Sequence, residues 1–468
     1  MKLNIDPTVP GVRVPYWPKS VHLEELEIQE VKALEAMDII ETVADGPTPF
    51  VSDTVMSKKA NGDWRYCVNM RPANKATKRT YHILPHMEGI LSFCAGYRYF
   101  SVLDMNSGFH QIELAEESRY ITTFNTPLGL RRFKRLFFGI CSASEIFHNL
   151  LCEKFQDLLD VLIAMDDMLV RGRTIEEHNI NLEKGRQRLR DLNLTSNEAK
   201  NQICQERVKF WGIVITGDGT QMDPKKVKAI QDCDRPENSS ALKSFLGMVN
   251  YCARFIKGQA DLTAPLRDLA KKSDAEFDWS PECERSFKAL KSQLCGERTL
   301  AYFDVKKRTE LIVDASPVGL GAILTQIDRN GKSAVVAYAS KALTPTEQRY
   351  SQIDREMLAI VWGCRKFGFY LRGCEFTIWT DHKPLVPIFN NPKSKLTIRM
   401  DRLMFWMQDF SPVVKYLLGG YNAADYLSRH PEKNKVAVAS SISRVADRHV
   451  HAMVYCKAAD LFPPAASC

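Results

Sequence analysis

The sequence predicts an α/β (α+β) chain of several domains, and three observations lead to this prediction. Short apolar runs that surround carboxylates, such as residues 161–170, have the length and composition of buried strands. Longer segments with the spacing of one apolar helix face separate these runs. The chain has 468 residues, which is long enough for about two to four domains with separate cores.

Composition and charge are typical of a globular protein. The residues are 45% hydrophobic and 26% charged, and the net charge of +8 permits a polyanionic partner without requiring one. No apolar stretch reaches the roughly 18 residues of a membrane span, and the N-terminus lacks the apolar core of a secretory signal. Thirteen cysteines with neither a C-x-x-C pair nor zinc-ligand spacing predict free thiols. We therefore expect an intracellular, cytoplasmic protein without a membrane partner.

The periodicity of apolar residues predicts the elements in chain order. A helix over 23–40 would bury a stripe formed by Leu26, Ile28, Val31, Leu34 and Met37. Strands are predicted over 51–57, 64–69 and 121–124, and helices over 144–159, 174–192, 224–233 and 240–255. Residues 270–310 should mix short helices with loops. A second α/β unit should begin near Leu311, with strands over 311–314, 319–326 and 376–381 and a helix over 354–371.

Two adjacent carboxylates, Asp166 and Asp167, lie between two short apolar runs. This pattern predicts two buried strands joined by a tight turn. Ionised side chains at such a turn are unfavourable unless something neutralises them, and Mg²⁺ prefers oxygen ligands. Asp104 ends another strand-like run, so three carboxylates from two parts of the chain suit a two-metal phosphoryl-transfer site. The alternative is a solvated hairpin turn.

Nine motifs follow one another in a fixed order along the chain. They are Arg65-Tyr66-Cys67-Val68-Asn69-Met70-Arg71, Val102-Leu103-Asp104, Phe138-Gly139-Ile140, Met165-Asp166-Asp167, Phe245-Leu246-Gly247-Met248-Val249-Asn250-Tyr251, Asp314-Ala315-Ser316, Glu356-Met357-Leu358-Ala359, Thr380-Asp381-His382 and Ala424-Asp425-Tyr426-Leu427-Ser428-Arg429. On these motifs, residues from about 15 to 430 resemble the reverse transcriptase plus ribonuclease H portion of a gypsy-type LTR retrotransposon Pol polyprotein. The sequence contains no aspartic protease triplet and no integrase His/Cys pattern, so we expect a fragment of such a polyprotein.

The resemblance implies a fold and a domain order. The fold would be a right-hand polymerase of fingers, palm and thumb, followed by a ribonuclease H-like mixed sheet with flanking helices. The N-terminal lead-in and fingers helix would cover 1–45, and the fingers and palm 46–217. The thumb and connection would cover 218–304, the ribonuclease H-like domain 305–431, and a loose tail 432–468.

The resemblance also implies roles for single residues in the polymerase. Asp104, Asp166 and Asp167 would be catalytic and would hold two Mg²⁺ ions, with Mn²⁺ as an alternative. The nucleotide-binding residues would be Lys59 and Arg65 at the phosphates, Phe109 against the sugar, Phe138 and Gly139 under the nucleotide, and Lys200 near the phosphates. For Lys59 and Arg65 the alternative is a surface cation, and for Phe109 it is a core aromatic.

In the ribonuclease H-like domain, the resemblance implies that four catalytic carboxylates bind two further Mg²⁺ ions. These are Asp314, Glu356, Asp381 and Asp425. For acids scattered in this way along a sequence, the alternative is a salt-bridged surface.

The implied function is that of an RNA-directed DNA polymerase with ribonuclease H activity on RNA–DNA hybrids. Its partners would be an RNA template, a DNA primer, the hybrid and deoxynucleoside triphosphates. Two alternatives remain, namely a relic that binds template-primer without catalysis and a chain that retains one active site.

Several positions depart from the family pattern. The family usually has a larger apolar or aromatic residue at Ala164, a proline at Phe137, an aspartate at Asn69 and a proline at Asp53. Several members also use a histidine shortly before the last carboxylate, where residues 411–424 contain none. None of these changes removes a predicted metal ligand.

Overall fold

The computed structural model describes residues 1–43, 48–58, 64–294, 298–391, 394 and 396–417. The chain divides into two compact units, Met1–Val208 and Lys209–Cys468. Both units contain helices and strands, which confirms the α+β prediction. Within the described ranges, none of the helices has the length and apolar composition to cross a membrane. The predicted tail over 432–468 lies outside the described residues.

The first unit alternates helices and short strands. Its helices are α1 (Val21–Ala36), α2 (Arg71–Ala76), α3 (Met87–Cys94), α4 (Glu116–Arg119), α5 (Ala143–Phe155) and α6 (Ile175–Asp191). Its strands are β1 (Ile40–Thr42), β2 (Thr54–Lys58), β3 (Trp64–Val68), β4 (Tyr99–Asp104), β5 (Phe124–Thr126), β6 (Gly129–Phe133), β7 (Val161–Ala164), β8 (Asp167–Gly172) and β9 (Gln202–Gln205).

An antiparallel sheet in the order β7-β8-β4-β9 is the centre of the first unit. Two smaller sheets have the orders β1-β6-β5 and β2-β3. One hydrophobic core joins the central sheet to α5 and α6, through Leu103, Met168, Val170, Phe147, Leu151, Leu182 and Leu189. The predicted hairpin around the paired aspartates is therefore confirmed as β7 and β8.

Helix α6 illustrates how local sequence sets an element's ends. The side chain of Thr174 accepts a hydrogen bond from the Glu177 N–H, and acidic residues occupy the first turn. Arg188 and Arg190 lie in the last turn, where the helix dipole favours positive charge. The helix predicted over 174–192 is confirmed within one residue at each end.

Two predictions in the first unit are wrong in part. The buried residues of α1 are Glu27 and Val31, whereas Met37 lies beyond the helix and is 58% exposed. The segment predicted as a strand over 121–124 begins with a 3₁₀ turn, Tyr120–Thr122, and the strand that follows is β5. In both places contacts distant in sequence outweigh the local apolar pattern.

The second unit begins with a small sheet and a group of helices. The sheet has the order β10-β11-β12, and the boundary between Val208 and Lys209 falls within β10. The elements are β10 (Arg207–Phe210), β11 (Ile213–Thr216), β12 (Gly219–Met222), α7 (Pro224–Gln231), α8 (Ser239–Tyr251), α9 (Gln259–Leu269) and α10 (Pro281–Leu294). The helices predicted over 224–233 and 240–255 are confirmed, although they end two and four residues earlier than predicted. Helix α10 is longer than the short helices expected for 270–310.

A five-stranded mixed sheet in the order β15-β14-β13-β16-β17 and the helices that connect its strands form the rest of the described second unit. Its elements are β13 (Arg308–Ala315), β14 (Gly319–Ile327), β15 (Ser333–Ala342), α11 (Pro345–Gln348), α12 (Gln352–Lys366), α13 (Gly368–Leu371), β16 (Glu375–Thr380), α14 (Leu385–Asn390), α15 (Ile398–Phe405) and β17 (Ser411–Tyr416). Strands β13 and β14 pair antiparallel, whereas β16 runs parallel to β13 and to β17. The helix predicted over 354–371 is divided into α12 and α13.

A buried ion pair explains why a carboxylate replaces an apolar side chain on the inner face of α1. Lys19 Nζ lies 2.5 Å from Glu27 Oε2 and 2.6 Å from Thr54 Oγ1. The Thr54 hydroxyl donates to Glu27 Oε1 at 2.6 Å. Both carboxylate oxygens therefore have partners, which makes the burial of Glu27 tolerable.

We predict that Glu27→Gln destabilises the first unit by about 3 kcal/mol, because it leaves the Lys19 ammonium, only 12% exposed, without its counter-charge. Urea denaturation followed by circular dichroism measures the change. The matched control is Glu25→Gln on the exposed side of α1, which should change stability by no more than about 0.5 kcal/mol. Adding Lys19→Met to Glu27→Gln should recover part of the loss, and an unchanged midpoint for the single variant would contradict the role of the pair.

Candidate active sites

The register of the central sheet brings the first three predicted carboxylates together. Asp104, the last residue of β4, lies directly opposite Asp167, the first residue of β8. Asp167 is also the partner of Ala164 on β7, so Met165 and Asp166 form a two-residue turn. The three carboxylates therefore lie together where β4 ends and β8 begins, as the sequence predicted. We call this end of the sheet the β4–β8 edge.

The turn carries a constraint of its own. Met165 has a φ of 59°, in the left-handed region that residues with a side chain seldom adopt. The backbone carbonyl of Asp166 accepts a hydrogen bond from the Met105 N–H at 2.9 Å, which holds the turn beside the end of β4. A strained backbone that the surroundings hold in place is typical of functional sites.

The electrostatics of this edge suit a cation. Burial, followed by the charges of Asp104 and Asp166, raises the pKa of Asp167 to about 6, while Lys200 opposes the shift. Burial and the Asp104 charge also raise the pKa of Asp166. Lys200 Nζ lies 3.2 Å from Asp104 Oδ1. These half-buried like charges differ from a solvated turn, and a divalent ion with oxygen ligands would neutralise them.

Two asparagines that the sequence analysis missed hold Asp104 in place. Its backbone N–H donates to Asn201 Oδ1 at 3.1 Å, and its carbonyl accepts from the Asn197 N–H at 2.7 Å. Both flank Lys200, the residue that the resemblance selected. Their closeness to Lys200 is the only signal in the sequence that could have identified them. Asparagine is common in loops where it holds no catalytic residue in place.

The predicted nucleotide-binding residues near Phe109 form an aromatic cluster. Phe109 is 5% exposed, and its ring packs edge-on against Phe138 and Phe147 with centroid distances of 4.7 and 5.4 Å. Phe138 is 65% exposed. Gly139 has a φ of 117°, and its carbonyl accepts from Asn74 Nδ2 at 2.7 Å. The burial of Phe109 agrees with the core-aromatic alternative, and Phe138 presents the exposed ring.

The side chains of the two predicted phosphate-binding cations lie outside the described part of the chain. Lys59 lies outside the described residues. The backbone of Arg65 is part of β3, opposite Ser57 on β2, while its side chain lies outside the described part of the chain.

The positions that depart from the family pattern are well packed. Asn69 Nδ2 donates to Asp53 Oδ1 at 2.9 Å, so these two unusual residues bond to each other. The Phe137 ring stacks on Phe133, with centroids 3.6 Å apart and planes inclined by 4°. Ala164 is fully buried.

In the second unit, parallel pairing brings two acids to one edge of the mixed sheet. Ile312 on β13 lies opposite Trp379 on β16. Asp314 and Asp381 each lie two residues further along in the same direction. The carboxyl ends of neighbouring parallel strands meet at one edge, so these two side chains converge as predicted.

Helix α12 adds the third carboxylate. Gly363 lies against β13 so closely that a Cβ atom would be 3.2 Å from Val313 Cγ1. Glu356 precedes Gly363 by seven residues and therefore occupies the same helix face. One carboxylate oxygen of each of Asp314, Glu356 and Asp381 lies within 4.8 Å of the others. Asp425, the fourth predicted acid, lies outside the described residues.

The environment of Glu356 differs from that of a salt-bridged surface and would suit a metal ligand. The residue is 1% exposed, and Gln352 Nε2 donates to its Oε1 at 2.7 Å. Its Oε2 is buried without a hydrogen-bond partner among the described residues. Burial, with the charges of Asp381 and Asp314, raises the pKa of Glu356 to about 8. An orphaned buried oxygen facing two further acids fits a divalent cation.

Comparison with known proteins identifies the two parts of the chain. Residues 56–215 match the family profile described as reverse transcriptase (RNA-dependent DNA polymerase). Residues 279–378 match the RNase H-like domain found in reverse transcriptase.

Similar full-length proteins are polyproteins of transposons. The retrovirus-related Pol polyprotein from transposon 412 of Drosophila melanogaster is 35% identical over 437 residues, which cover 91% of this chain and 34% of that protein. The transposon Tf2-3 polyprotein of Schizosaccharomyces pombe (strain 972 / ATCC 24843) is 31% identical over 79% of this chain and 28% of its own length. The chain therefore spans about a third of the length of such relatives.

Solved structures with the same fold come from a foamy virus. Its protease-reverse transcriptase in complex with double-stranded DNA has a TM-score of 0.76, with 20% identity over 89% of this chain and 73% of that chain. The complex of that enzyme with an RNA/DNA hybrid has a TM-score of 0.75, with 19% identity over 89% of this chain and 56% of that chain. This likeness confirms the predicted right-hand polymerase fold followed by a ribonuclease H-like sheet. The chain thus carries a reverse transcriptase domain and an RNase H-like domain, and it is homologous to the retrovirus-related Pol polyproteins of transposons, as its motifs predicted.

Proposed function

We propose that the chain is an RNA-directed DNA polymerase with an attached ribonuclease that cleaves the RNA of RNA–DNA hybrids. The observation that carries the proposal is the convergence of carboxylates in each unit, at the β4–β8 edge and around Glu356. The foamy virus enzymes with this fold are seen in complex with double-stranded DNA and with an RNA/DNA hybrid, which supports the same partners here.

In the polymerase, Asp104, Asp166 and Asp167 would hold two Mg²⁺ ions, with Mn²⁺ as the alternative. The bound ions would activate the primer 3′-hydroxyl and neutralise the charge that develops on the triphosphate. The ammonium of Lys200, already beside Asp104, would lie near the phosphates of the incoming deoxynucleoside triphosphate. The other proposed nucleotide contacts are Lys59, Arg65, Phe109, Phe138 and Gly139.

In the ribonuclease, Asp314, Glu356 and Asp381 would hold the metal, and Asp425 is the proposed fourth ligand. Gln352 orients the Glu356 carboxylate by donating to one oxygen, which leaves the other available. Discrimination of RNA from DNA would depend on contacts with the 2′-hydroxyl and the shape of the minor groove. The ten cysteines of the described residues are all free, which agrees with a reducing cytoplasmic location.

The polymerase proposal predicts that Asp167→Asn lowers Mg²⁺-dependent extension of a DNA primer on an RNA template by about 100-fold or more, since it removes a charged metal ligand. Primer extension by the purified full chain measures this. Asp191→Asn at the exposed end of α6 is the matched control and should extend normally. Equal extension by the parent and Asp167→Asn would refute the assignment, and no extension by the parent, with hybrid cleavage intact, would indicate a chain with one working site.

The ribonuclease proposal predicts that Asp381→Asn abolishes cleavage of a labelled RNA–DNA hybrid while primer extension stays within about twofold of the parent. The two activities would then reside in separate sites. Asp401→Asn, on the exposed side of α15, is the control for both assays. Loss of both activities in Asp381→Asn would count against separate sites.

The raised pKa of Glu356 predicts a pH-dependent stability of the metal-free protein. Because folding raises this pKa from 4.5 to about 8, the folded state retains a proton that the unfolded state loses, so stability declines as pH rises through that interval. At pH 8.5, Glu356→Gln should melt about 3 °C or more above the parent, whereas at pH 5 the two should melt within about 1 °C.

Thermal unfolding in a chelator measures this difference. Glu282→Gln, an exposed substitution on α10, should match the parent at both pH values. Mg²⁺ should stabilise the parent more than Glu356→Gln at pH 8.5, because in the variant only the carboxylate site of the first unit is intact. Equal melting temperatures at pH 8.5 would show that the ionised Glu356 carboxylate is not destabilising.

A further inference from the structure

A cluster of nitrogen and sulfur side chains lies outside both carboxylate sites. His82 belongs to the connection between α2 and α3, and His148 and Cys152 belong to α5. One potential ligand atom of each lies within 4.8 Å of the others. His148 and Cys152 are four residues apart and therefore share a helix face. His82 Nε2 lies 2.8 Å from His148 Nδ1.

The hydrogen bonds define the state of the His148 ring. Its Nε2 lies 3.3 Å from the carbonyl oxygen of Ile163, which can only accept, so Nε2 carries the proton. Burial lowers the pKa of His148, which favours the neutral ring with a lone pair on Nδ1. An imidazole that binds a metal through one nitrogen commonly donates its other N–H to a backbone carbonyl, which is the arrangement of His148 and Ile163.

The distances are close to those of a tetrahedral zinc site. Cys152 Sγ lies 3.7 Å from His148 Nδ1 and 3.5 Å from its Nε2. Zinc bond lengths place a sulfur and a nitrogen ligand about 3.6 Å apart and two nitrogens about 3.3 Å apart. The two imidazoles need to separate by about 0.5 Å, and the thiol needs to rotate towards Nδ1. Imidazole and thiolate donors select Zn²⁺ over Mg²⁺, which prefers oxygen.

We propose that His82, His148 and Cys152 form a Zn²⁺ site with water in the fourth position. On binding, the Cys152 S–H bond breaks, the proton passes to solvent, and the thiolate bonds the metal. In the metal-free protein His82 Nε2 donates its proton to His148 Nδ1. On binding, this proton passes to solvent and Nδ1 of His82 takes up one proton from solvent, so that Nε2 is free to bind the metal. The cysteine and histidine spacing carried no such signal in the sequence, because His82 lies 66 residues from His148.

The position of this site connects it to the β4–β8 edge, which carries Asp104, Asp166 and Asp167. An ion pair between Arg79 and Glu145 already fastens the same connection to α5. The Ile163 carbonyl belongs to β7, one residue before Ala164 and the turn that carries Asp166. A metal held by these three side chains would cross-link the α2–α3 connection to the helix that supports β7.

The test is zinc binding by the purified full chain in excess Mg²⁺, which occupies the oxygen sites, with a thiol-free reductant. Competition with a chromophoric zinc chelator measures affinity and stoichiometry. We expect one tight site per chain, and about 10- to 100-fold weaker binding in Cys152→Ser and in His82→Gln. The matched controls are Cys67→Ser on β3 and His86→Gln, an exposed histidine of the same connection, and both should bind as the parent does.

Replacing zinc with Co²⁺ provides a second readout that does not depend on activity. The parent should show a thiolate-to-cobalt charge-transfer band that is missing from Cys152→Ser and retained in Cys67→Ser. Circular dichroism establishes that each variant is folded. The proposal is overturned if the parent binds no zinc in excess Mg²⁺, or if the controls lose affinity as much as Cys152→Ser and His82→Gln do. It is overturned equally if those two variants bind as the parent does, which would leave the cluster as a hydrogen-bonded contact only.

Discussion

The antiparallel register between β4 and β8 is the constraint on which the polymerase site depends. Because side chains alternate between the faces of a sheet, a slip of one residue would move every side chain of the strand to the opposite face and disrupt its packing. Leu103 and Met168 are almost completely buried, so the core holds the register. The same register sets Asp104 opposite Asp167. Packing in the interior thus determines where the charges meet, without any attraction between them.

The second unit achieves a similar convergence with different geometry. Parallel strands bring Asp314 and Asp381 to one edge, and the close approach of Gly363 to β13 aligns α12 so that Glu356 faces them. In both units like charges are held together in partly dry surroundings, which raises the pKa values of Asp167 and Glu356. Electrostatic repulsion of this kind would be relieved by a divalent cation, which is the physical basis of the two proposed metal sites.

Uncharged neighbours position these acids. Asn197 and Asn201 bond the backbone of Asp104, and Gln352 bonds the side chain of Glu356. The His148 ring makes a comparable contact, since it bonds the Ile163 carbonyl at the end of β7. Each of these contacts restrains a residue at or beside the turn, strand end or helix that carries a carboxylate.

The sequence by itself determined the fold class and the family, because apolar periodicity and contiguous motifs are local properties. It also selected six carboxylates that the structure brings together in two groups. It also predicted helix α6 closely, since its N-cap and terminal charges are encoded nearby. Only the tertiary structure decided which side chains from distant segments contact each other, because a local pattern does not contain this information. Glu27 is buried because Lys19 and Thr54 reach it, Asn69 bonds Asp53, and Phe109 is covered by Phe138. The His82–His148 pair likewise exists only because folding brings distant segments into contact, and no spacing in a linear sequence specifies such contacts.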